Sequence, residues 1–541
     1  MTEPAAASPP FAGRVRGWWR GEPLSPLFHL CIGLLMPMAL LAGSALRAST
    51  FTVESAFIGF RYADNLAAGQ GLVFNAGERV EGYSNFLWTL LLGVLSALGA
   101  DLEPASKIVG GLCACAALWV LWLLSRRLQP FGAFPSVATW LTASSFAFGG
   151  YAVFGTEAPL LALLTLAGAE RFAREVDAEI AGEARLLPWS GVLLGLACLT
   201  RMEAVVLFAA LVSASGRRAV GRPGLLRLAA FFAPVAAHQI WRIAYYGALL
   251  PNTALATTGD ARAQLRGGRD YLDNYQQHVG GVLWLALSAV AMAAMRLARA
   301  LDPSHLGGAA PAPPSSRRAL AASEDAWRAS FALALCAWVI VYGTWLLLIG
   351  GDGMPFFRRI APIEPFVFLL VDQVVRTLVA RRDRVINVAL ILVGSWTCWY
   401  RANTFRDSHR NLVRTDKAFW EESAGRAAAW LRTAEPGPVA IADIGEVGYR
   451  TRLPIVDMLG VVTPAIARLP GGYTTKVGPG FTDAVFAGQP RYVVIISSER
   501  DCKSPSAPSS RALYNDARFA PFRLRESLRV RPGGAWCIYG R

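Results

Sequence analysis

The sequence predicts a polytopic α-helical membrane protein with a small α/β domain at its C-terminal end. The first observation is composition. Of 541 residues, 54% are hydrophobic and only 17% charged, where soluble domains carry about a quarter charged residues. The second is a series of apolar runs approaching the roughly 20 residues a helix needs to cross a bilayer. The third is a change of texture from about residue 401. There the apolar stretches shorten to 438–444, 453–459 and 491–497, and Gly and Pro punctuate them. Such short runs, with a helical pattern over Ala418 to Thr433, read as an α/β domain.

Taken in order, residues 1–26 form a basic N-terminal tail. The first apolar run, Leu27 to Leu46, has no clear small-residue cleavage site and reads as a retained helix rather than a cleaved signal peptide. Hydropathy marks about eleven spans, at 27–47, 106–125, 134–153, 158–172, 188–200, 202–215, 224–246, 279–298, 328–349, 361–380 and 385–400. The run 188–215 is interrupted by Arg201 and Glu203 and reads as two short helices meeting at one membrane face. Residues 84–99, SNFLWTLLLGVLSALG, are short for a span. Counting them as one would place Arg126 and Arg127 outside, so they read as an interfacial helix.

The formal net charge of +15 raises the question of nucleic acid. The arginines answer it, because they cluster beside the ends of apolar runs, as membrane topology requires. No nucleic-acid partner is expected. Arg14, Arg16 and Arg20, then Arg126 and Arg127, Arg217 and Arg218, Arg296 and Arg299, Arg317 and Arg318, and Arg381 and Arg382 fall on one side. The positive-inside rule makes that side cytoplasmic. The loop 170–187 fits less well, since Arg171, Arg174 and Arg185 mix there with carboxylates. Loop 302–318, with PAPPSS, reads as a disordered cytoplasmic connector. The opposite face collects the loops 48–105, 154–157, 247–278 and 350–360, the Arg201 break, and everything after about 401.

Of the eight cysteines, Cys31, Cys113, Cys115, Cys198, Cys336 and Cys398 lie in apolar runs, where a thiol behaves as a small hydrophobe. Cys502 and Cys537 lie in the polar C-terminal region and are compatible with a disulfide if that region is outside the cytoplasm. No cysteine spacing suggests a zinc site.

Candidate chemistry gathers on the external face. Glu54 follows the first span by a few residues. A carboxylate there can serve as general base for a hydroxyl acceptor, or it can simply favour the dipole of a helix starting near Ser55. Arg61 lies two turns further along the same helical face and suits either a phosphate or a surface ion pair. Arg79 stands with Glu78 and Glu81 ahead of Tyr83 and Trp88, which alone resemble an interfacial aromatic belt. Polar residues in or beside spans are costly in lipid. These are Glu157 in FGTEAPL, Arg201 and Glu203 at the hairpin break, His238, Gln239 and Arg242 in one apolar helix, and Asp352, Arg358 and Arg359 in GGDGMPFFRR. Guanidiniums suit bidentate phosphate capture; internal ion pairing between helices is the alternative. Together they outline an external cavity suited to an anionic, lipid-linked substrate.

The stretch ESAFIGFRYADNLAAGQGLVFNAGERVEGYSNFLW resembles the first external loop of GT-C superfamily membrane glycosyltransferases, nearest the bacterial branch that includes arabinofuranosyltransferase-like proteins. FGTEAPL (154–160), LTRMEA (199–204), YYGALLPNTALAT (245–257), GGDGMPFFRRIAP (350–362) and ADIGEVGYRTRLPIVDMLGVVTPAIA (442–467) resemble further motifs in the same order. The resemblance implies a GT-C-like catalytic module over 27–400 and an external, periplasmic domain over 401–541. It also implies residence in a bacterial inner membrane with a cytoplasmic N-terminus. The implied reaction moves a sugar from a polyprenyl-phosphate donor to a cell-envelope glycan, lipid or protein acceptor, with inversion. Glu54 takes the place of the catalytic carboxylate. Arg61, Arg79, Arg358 and Arg359 are the candidates for holding the donor phosphate. Ser55, Glu157, Arg201, Glu203, Asn252 and Asp352 are candidates for the cavity or the acceptor. Membrane lipids are the surrounding partner. No cofactor is required; a divalent cation is compatible with the reading but not indicated.

The chain departs from its relatives at one point. They carry two adjacent acidic residues where this sequence has Glu54-Ser55. Serine cannot replace a carboxylate in charge, and a misplacement of about 1 Å can cost about a hundredfold in rate. A catalytically degenerate envelope-assembly protein is therefore the main rival reading. A transporter ranks below it: transporters often show repeated halves and broken midplane helices, whereas this chain puts its polar loops on one face and shows no obvious repeat.

Overall fold

The expected apolar runs are helical in a computed structural model of the protein, which describes residues 25–128, 135–183, 187–301, 317–379, 384–530 and 533–541. Most of the N-terminal tail with its arginines, Arg185, residues 302–316 of the proline-rich loop, and Arg381 and Arg382 lie outside the described residues. Among the described residues, Pro26–Ala48, Leu102–Leu128, Val282–Leu301 and Ser323–Leu348 are long and apolar enough to cross a bilayer. The chain is a multi-pass helical membrane protein. Trp189–Thr200 and Met202–Ala214 are the two short apolar helices expected around Arg201. Arg201 itself is extended (φ −154°, ψ 125°) and ends the first of them.

One run differs from its expectation as a single span. Residues 134–153 divide into Val137–Ala143 and Phe146–Tyr151. Ser145 caps the second helix, its hydroxyl accepting the Phe148 N–H at 3.2 Å, which satisfies an amide a helix start leaves bare. The buried Glu364 carboxylate accepts from the same amide at 3.2 Å, from the Ser145 hydroxyl, and from Tyr275 Oη at 2.7 Å. The break is pinned from across the bundle. At the other end, helix Arg384–Leu412 runs through residue 401, so the expected domain boundary falls inside a helix.

After Pro26–Ala48 the chain forms two helices, Glu54–Ala67 and Phe86–Ala97. Phe86–Ala97 lies within the stretch expected to be interfacial. It buries Trp88 and Leu92 while leaving Leu90 and Val94 exposed. Gly93 brings it against the first helix, where any Cβ would meet Leu66 Cδ2 at 2.8 Å.

The C-terminal region holds a five-stranded sheet of order β2-β1-β3-β5-β4. Its strands are β1 Val439–Ile441, β2 Ile455–Asp457, β3 Tyr492–Ser497, β4 Arg523–Arg529 and β5 Ala535–Gly540. β1 pairs in parallel with β2 and β3, while β5 pairs antiparallel with β3 and β4. The three apolar stretches read from the sequence are β1 to β3. β4 escaped notice because RLRESLR is mostly exposed and charged, as suits an edge strand kept from self-pairing. Cys502 and Cys537 form a disulfide, with Cα atoms 5.8 Å apart. This sheet does not close its core alone. Val439, Ile441, Ile455, Trp536 and Ile538 pack in one buried cluster with Tyr62, Phe74 and Tyr83 from the loop after the first span.

Candidate active site

Glu54 lies on the seam between these two parts. Val53 is extended (φ −74°, ψ 140°) and Glu54 is the first residue of its helix, where a negative side chain favours the helix dipole. The residue is buried (7% exposed). Its carboxylate accepts a hydrogen bond from the Gly445 backbone N–H, in the turn that leaves β1. Only glycine permits this approach, since a Cβ at position 445 would stand 2.4 Å from the same carboxylate oxygen. Burial raises the Glu54 carboxyl to about 8, and the neighbouring Asp443 adds to the rise, against the lowering effect of the Gly445 and Glu446 amides. Asp443 follows the carboxyl end of β1, where the 2-1-3 strand order diverges. That is the crevice in which parallel sheets usually bind ligands. Its carboxyl is raised by burial to about 6. Among the described residues its carboxylate makes no hydrogen bond or ion pair. The charges of Glu54, Asp443, Asp457 and Arg358 all reach Tyr473, which keeps 38% of its surface accessible.

Ser55 leads to the second group. Its hydroxyl accepts from Arg358 Nη1 at 2.8 Å. The same guanidinium grips Asp352 with two bonds, Nε at 2.7 Å and Nη2 at 3.2 Å, and Arg359 Nε lies 4.0 Å from Asp352. Burial would raise the Asp352 carboxyl, but Arg358 and Arg359 outweigh it and hold the group below the usual carboxylate range. The loop that presents both arginines is strained. Phe356 and Phe357 both have positive φ, 55° and 54°, each costing roughly 1–2 kcal/mol in a non-glycine residue. Aromatic packing holds them there. Phe356 stacks on Phe154, with centroids 5.7 Å apart, and Phe357 packs edge-on to Tyr271 and Tyr275. Tyr151 Oη donates to Pro355 O and Tyr342 Oη to Arg359 O, both at 2.7 Å. Strain overdetermined in this way marks functional loops more often than idle ones.

A third group surrounds Arg201. It donates to Ser84 Oγ at 3.1 Å and pairs with Glu157 at 3.4 Å and Glu203 at 3.2 Å, while Asn85 donates to Glu157 at 2.8 Å. The charge of Arg201 acts on Arg359 and that of Glu157 on Arg358, so this group lies near the Arg358 group. Arg201, Arg358 and Arg359 keep 14%, 22% and 16% of their side-chain surface accessible, enough for a ligand to reach them.

Two expected site residues, Arg61 and Asn252, are engaged in other contacts. Arg61 donates to Phe74 O (2.7 Å), Gly448 O (2.8 Å), Leu453 O (2.9 Å) and Asn75 Oδ1 (3.3 Å). Held by four hydrogen bonds to carbonyl oxygens, it docks the C-terminal sheet onto its own helix. Asn252 donates to Gly460 O at 2.7 Å and Val461 O at 2.8 Å, a second tie of the same kind. Arg79 is exposed and stacks over the Tyr245 ring at 4.8 Å. Conversely, Asp443, Gly445 and Tyr473 enter the site unannounced. The available signal was Asp443 and Gly445 directly after the apolar strand VAIA.

Residues 412–539 match a family model described as a domain of unknown function (DUF8728). Over 253 residues the chain is 30% identical to a terminal β-(1→2)-arabinofuranosyltransferase of Mycobacterium tuberculosis, covering 43% of this chain and 39% of that one. Over 413 residues it is 29% identical to a protein of the same description from Corynebacterium glutamicum, covering 69% of this chain and 55% of that one. The chain thus matches about two-fifths and just over half the length of these relatives. The crystal structure of ArnT from Cupriavidus metallidurans in the apo state matches with a TM-score of 0.50 and 13% identity, over 93% of this chain and 97% of that one. The likeness is one of fold. The chain shares the fold of that structure and is similar in sequence, over part of its length, to proteins described as terminal arabinofuranosyltransferases.

Proposed function

We propose that this protein is a membrane glycosyltransferase that takes a sugar from a polyprenyl-phosphate donor and passes it, with inversion, to a hydroxyl of a cell-envelope acceptor on the external face. The observation that carries the reading is one connected arrangement. A buried carboxylate with a raised pKa, Glu54, adjoins Ser55, which is hydrogen-bonded to Arg358 in a strained loop bearing two arginines. The proposal includes eleven spans, an inner-membrane location with a cytoplasmic N-terminus, and a periplasmic C-terminal domain. The Cys502–Cys537 disulfide supports that side, since disulfides persist in oxidising compartments.

The chemistry divides between the two groups. The acceptor oxygen attacks the anomeric carbon opposite the phosphate, the bond to the phosphate oxygen breaks, and Glu54 takes the acceptor's proton. A base with a pKa near the working pH suits this step. Arg358 and Arg359 stabilise the charge that develops on the departing polyprenyl phosphate. Ser55 then has a physical rationale. An acid at position 55 would give Arg358 a second carboxylate besides Asp352. A hydroxyl keeps the guanidinium positioned while leaving its charge available to phosphate. Asp443 supplies a second carboxylate beside Glu54 from the C-terminal domain. Arg201, Glu157 and Glu203 shape the cavity wall.

The test uses purified protein with polyprenyl-phospho-arabinofuranose as first donor, a choice resting on the relatives' description, and measures release of polyprenyl phosphate. Wild type should release it in the presence of an envelope glycan acceptor. Glu54→Gln should lower the rate by about 10²–10⁴-fold. Unchanged turnover in Glu54→Gln would remove the base assignment. Absence of turnover with every donor in a panel of lipid-linked sugars would favour the degenerate assembly protein, for which Ser55 is the motivating feature.

A further inference from the structure

A second cavity lies at the far end of the bundle. Helix Leu102–Leu128 serves as a ruler. Glu103, near its start, accepts a 2.6 Å hydrogen bond from Thr52, two residues before Glu54. Arg127, at its last turn, is 24 residues on, or about 36 Å at 1.5 Å per residue. That exceeds the roughly 30 Å of a hydrocarbon core, so the cavity opens at the other membrane face. It has a volume of about 520 Å³.

The walls combine two chemistries. Leu123, Phe331 and Trp327 form an apolar side. Arg126, Arg127, Arg174 and Arg328 line the polar side, against the carboxylates of Glu170 and Asp177. The acids are already engaged. Glu170 pairs with Arg174 at 2.6 Å and with Arg127 at 3.4 Å, and Asp177 pairs with Arg127 and accepts from Trp327 Nε1 at 3.0 Å. Four guanidiniums face two carboxylates in a space bounded on one side by apolar groups, and Arg328 also pairs with Glu324 at 3.6 Å, so the guanidiniums outnumber the carboxylates they meet by four to three. Such a basic pocket between helices, at headgroup depth, matches an anionic phospholipid in charge and polarity. A soluble phosphate would have no use for the apolar wall.

We propose that this cavity is a binding site for the phosphate headgroup of an anionic membrane lipid, separate from the Glu54 site. The inference stands independently of the proposed transfer reaction. The full-length protein in neutral detergent is incubated with phosphatidylglycerol, phosphatidylcholine or inorganic phosphate, and bound lipid is counted by native mass spectrometry. Phosphatidylglycerol should bind in preference to phosphatidylcholine. An Arg126→Gln, Arg328→Gln double variant should lose about tenfold to thirtyfold in that affinity, while Arg126→Lys, which keeps the charge, should lose little. Unfolding midpoints measured without lipid confirm that the variants are folded; if the double variant unfolds, single Arg328→Gln carries the test. Equal binding of the two lipids, or full binding by the folded variant, overturns the proposal. Protection of the site by inorganic phosphate alone overturns the lipid assignment in favour of a soluble phosphate.

Discussion

Arg61 and Arg358 are the same side chain, both enclosed near the seam, and their surroundings assign them opposite tasks. Arg61 is 3% exposed, and the four acceptors it meets, three of them backbone carbonyls, come from its own loop and from residues around β2. Carbonyls and a side-chain amide carry no formal charge, and they occupy four of the five guanidinium N–H groups. Arg358 meets one carboxylate and one hydroxyl and keeps accessible surface. The partner set, rather than residue type or burial, separates an arginine that holds the fold from one that can receive an anion.

The sharpest way to break the comparison is to remove each guanidinium. Arg358→Gln should cut transfer by about 10²–10³-fold in the folded protein, the loss expected when one positioned donor to developing charge is removed, together with a lower unfolding midpoint because the buried Asp352 is left with Arg359 alone. Arg61→Gln should act on stability alone. It leaves buried carbonyls unpaired and should cost about 2–4 kcal/mol of stability, measured as a lower denaturant midpoint, with near-normal turnover in the folded fraction. If Arg61→Gln instead abolishes turnover without loss of stability, the division of labour drawn here is wrong.

A smaller effect isolates Ser55. Ser55→Ala deletes one neutral acceptor of Arg358 and should cost about 0.5–1.5 kcal/mol of its positioning, a severalfold drop in donor affinity. Ser55→Asp should be worse despite restoring a hydrogen-bond acceptor, because the added charge neutralises Arg358. A Ser55→Asp protein that transfers faster than wild type would show that the missing acid, rather than the free guanidinium, limits this chain.

Legibility in the sequence follows the range of the interactions. The helices were readable because a 20-residue apolar run is a local signal, and the interruption at Arg201 was readable for the same reason. The place of Glu54 at a helix start just after a span was readable as well. The division of 134–153 was not, since it depends on Glu364 reaching Ser145 from 219 residues away. The task of Arg61 is hidden in the same way, because composition shows a guanidinium but not its acceptors, two of which lie 387 and 392 residues along the chain. The shared core is hidden likewise. Tyr62 and Phe74 belong to the stretch 48–105, and the sheet they pack against lies far along the chain.

Asp443 offers the finest test, because its predicted effect is a displacement of a pH profile rather than a loss. As a base, Glu54 works only when deprotonated. Its carboxyl is raised to about 8, so acceptor-dependent kcat/KM should climb with pH through that value. Asp443, raised only to about 6, is ionised over the upper part of that climb, and its negative charge opposes ionisation of Glu54. Asp443→Asn removes the charge while keeping the shape. The rise should therefore move to lower pH, each unit of displacement giving at most about tenfold more ionised Glu54 on the acid limb. The plateau above the limb should be unchanged. A uniform fall at every pH, with no displacement, would mean that Asp443 holds the acceptor hydroxyl itself. The C-terminal domain would then contribute a residue that touches substrate and not only one that tunes the base.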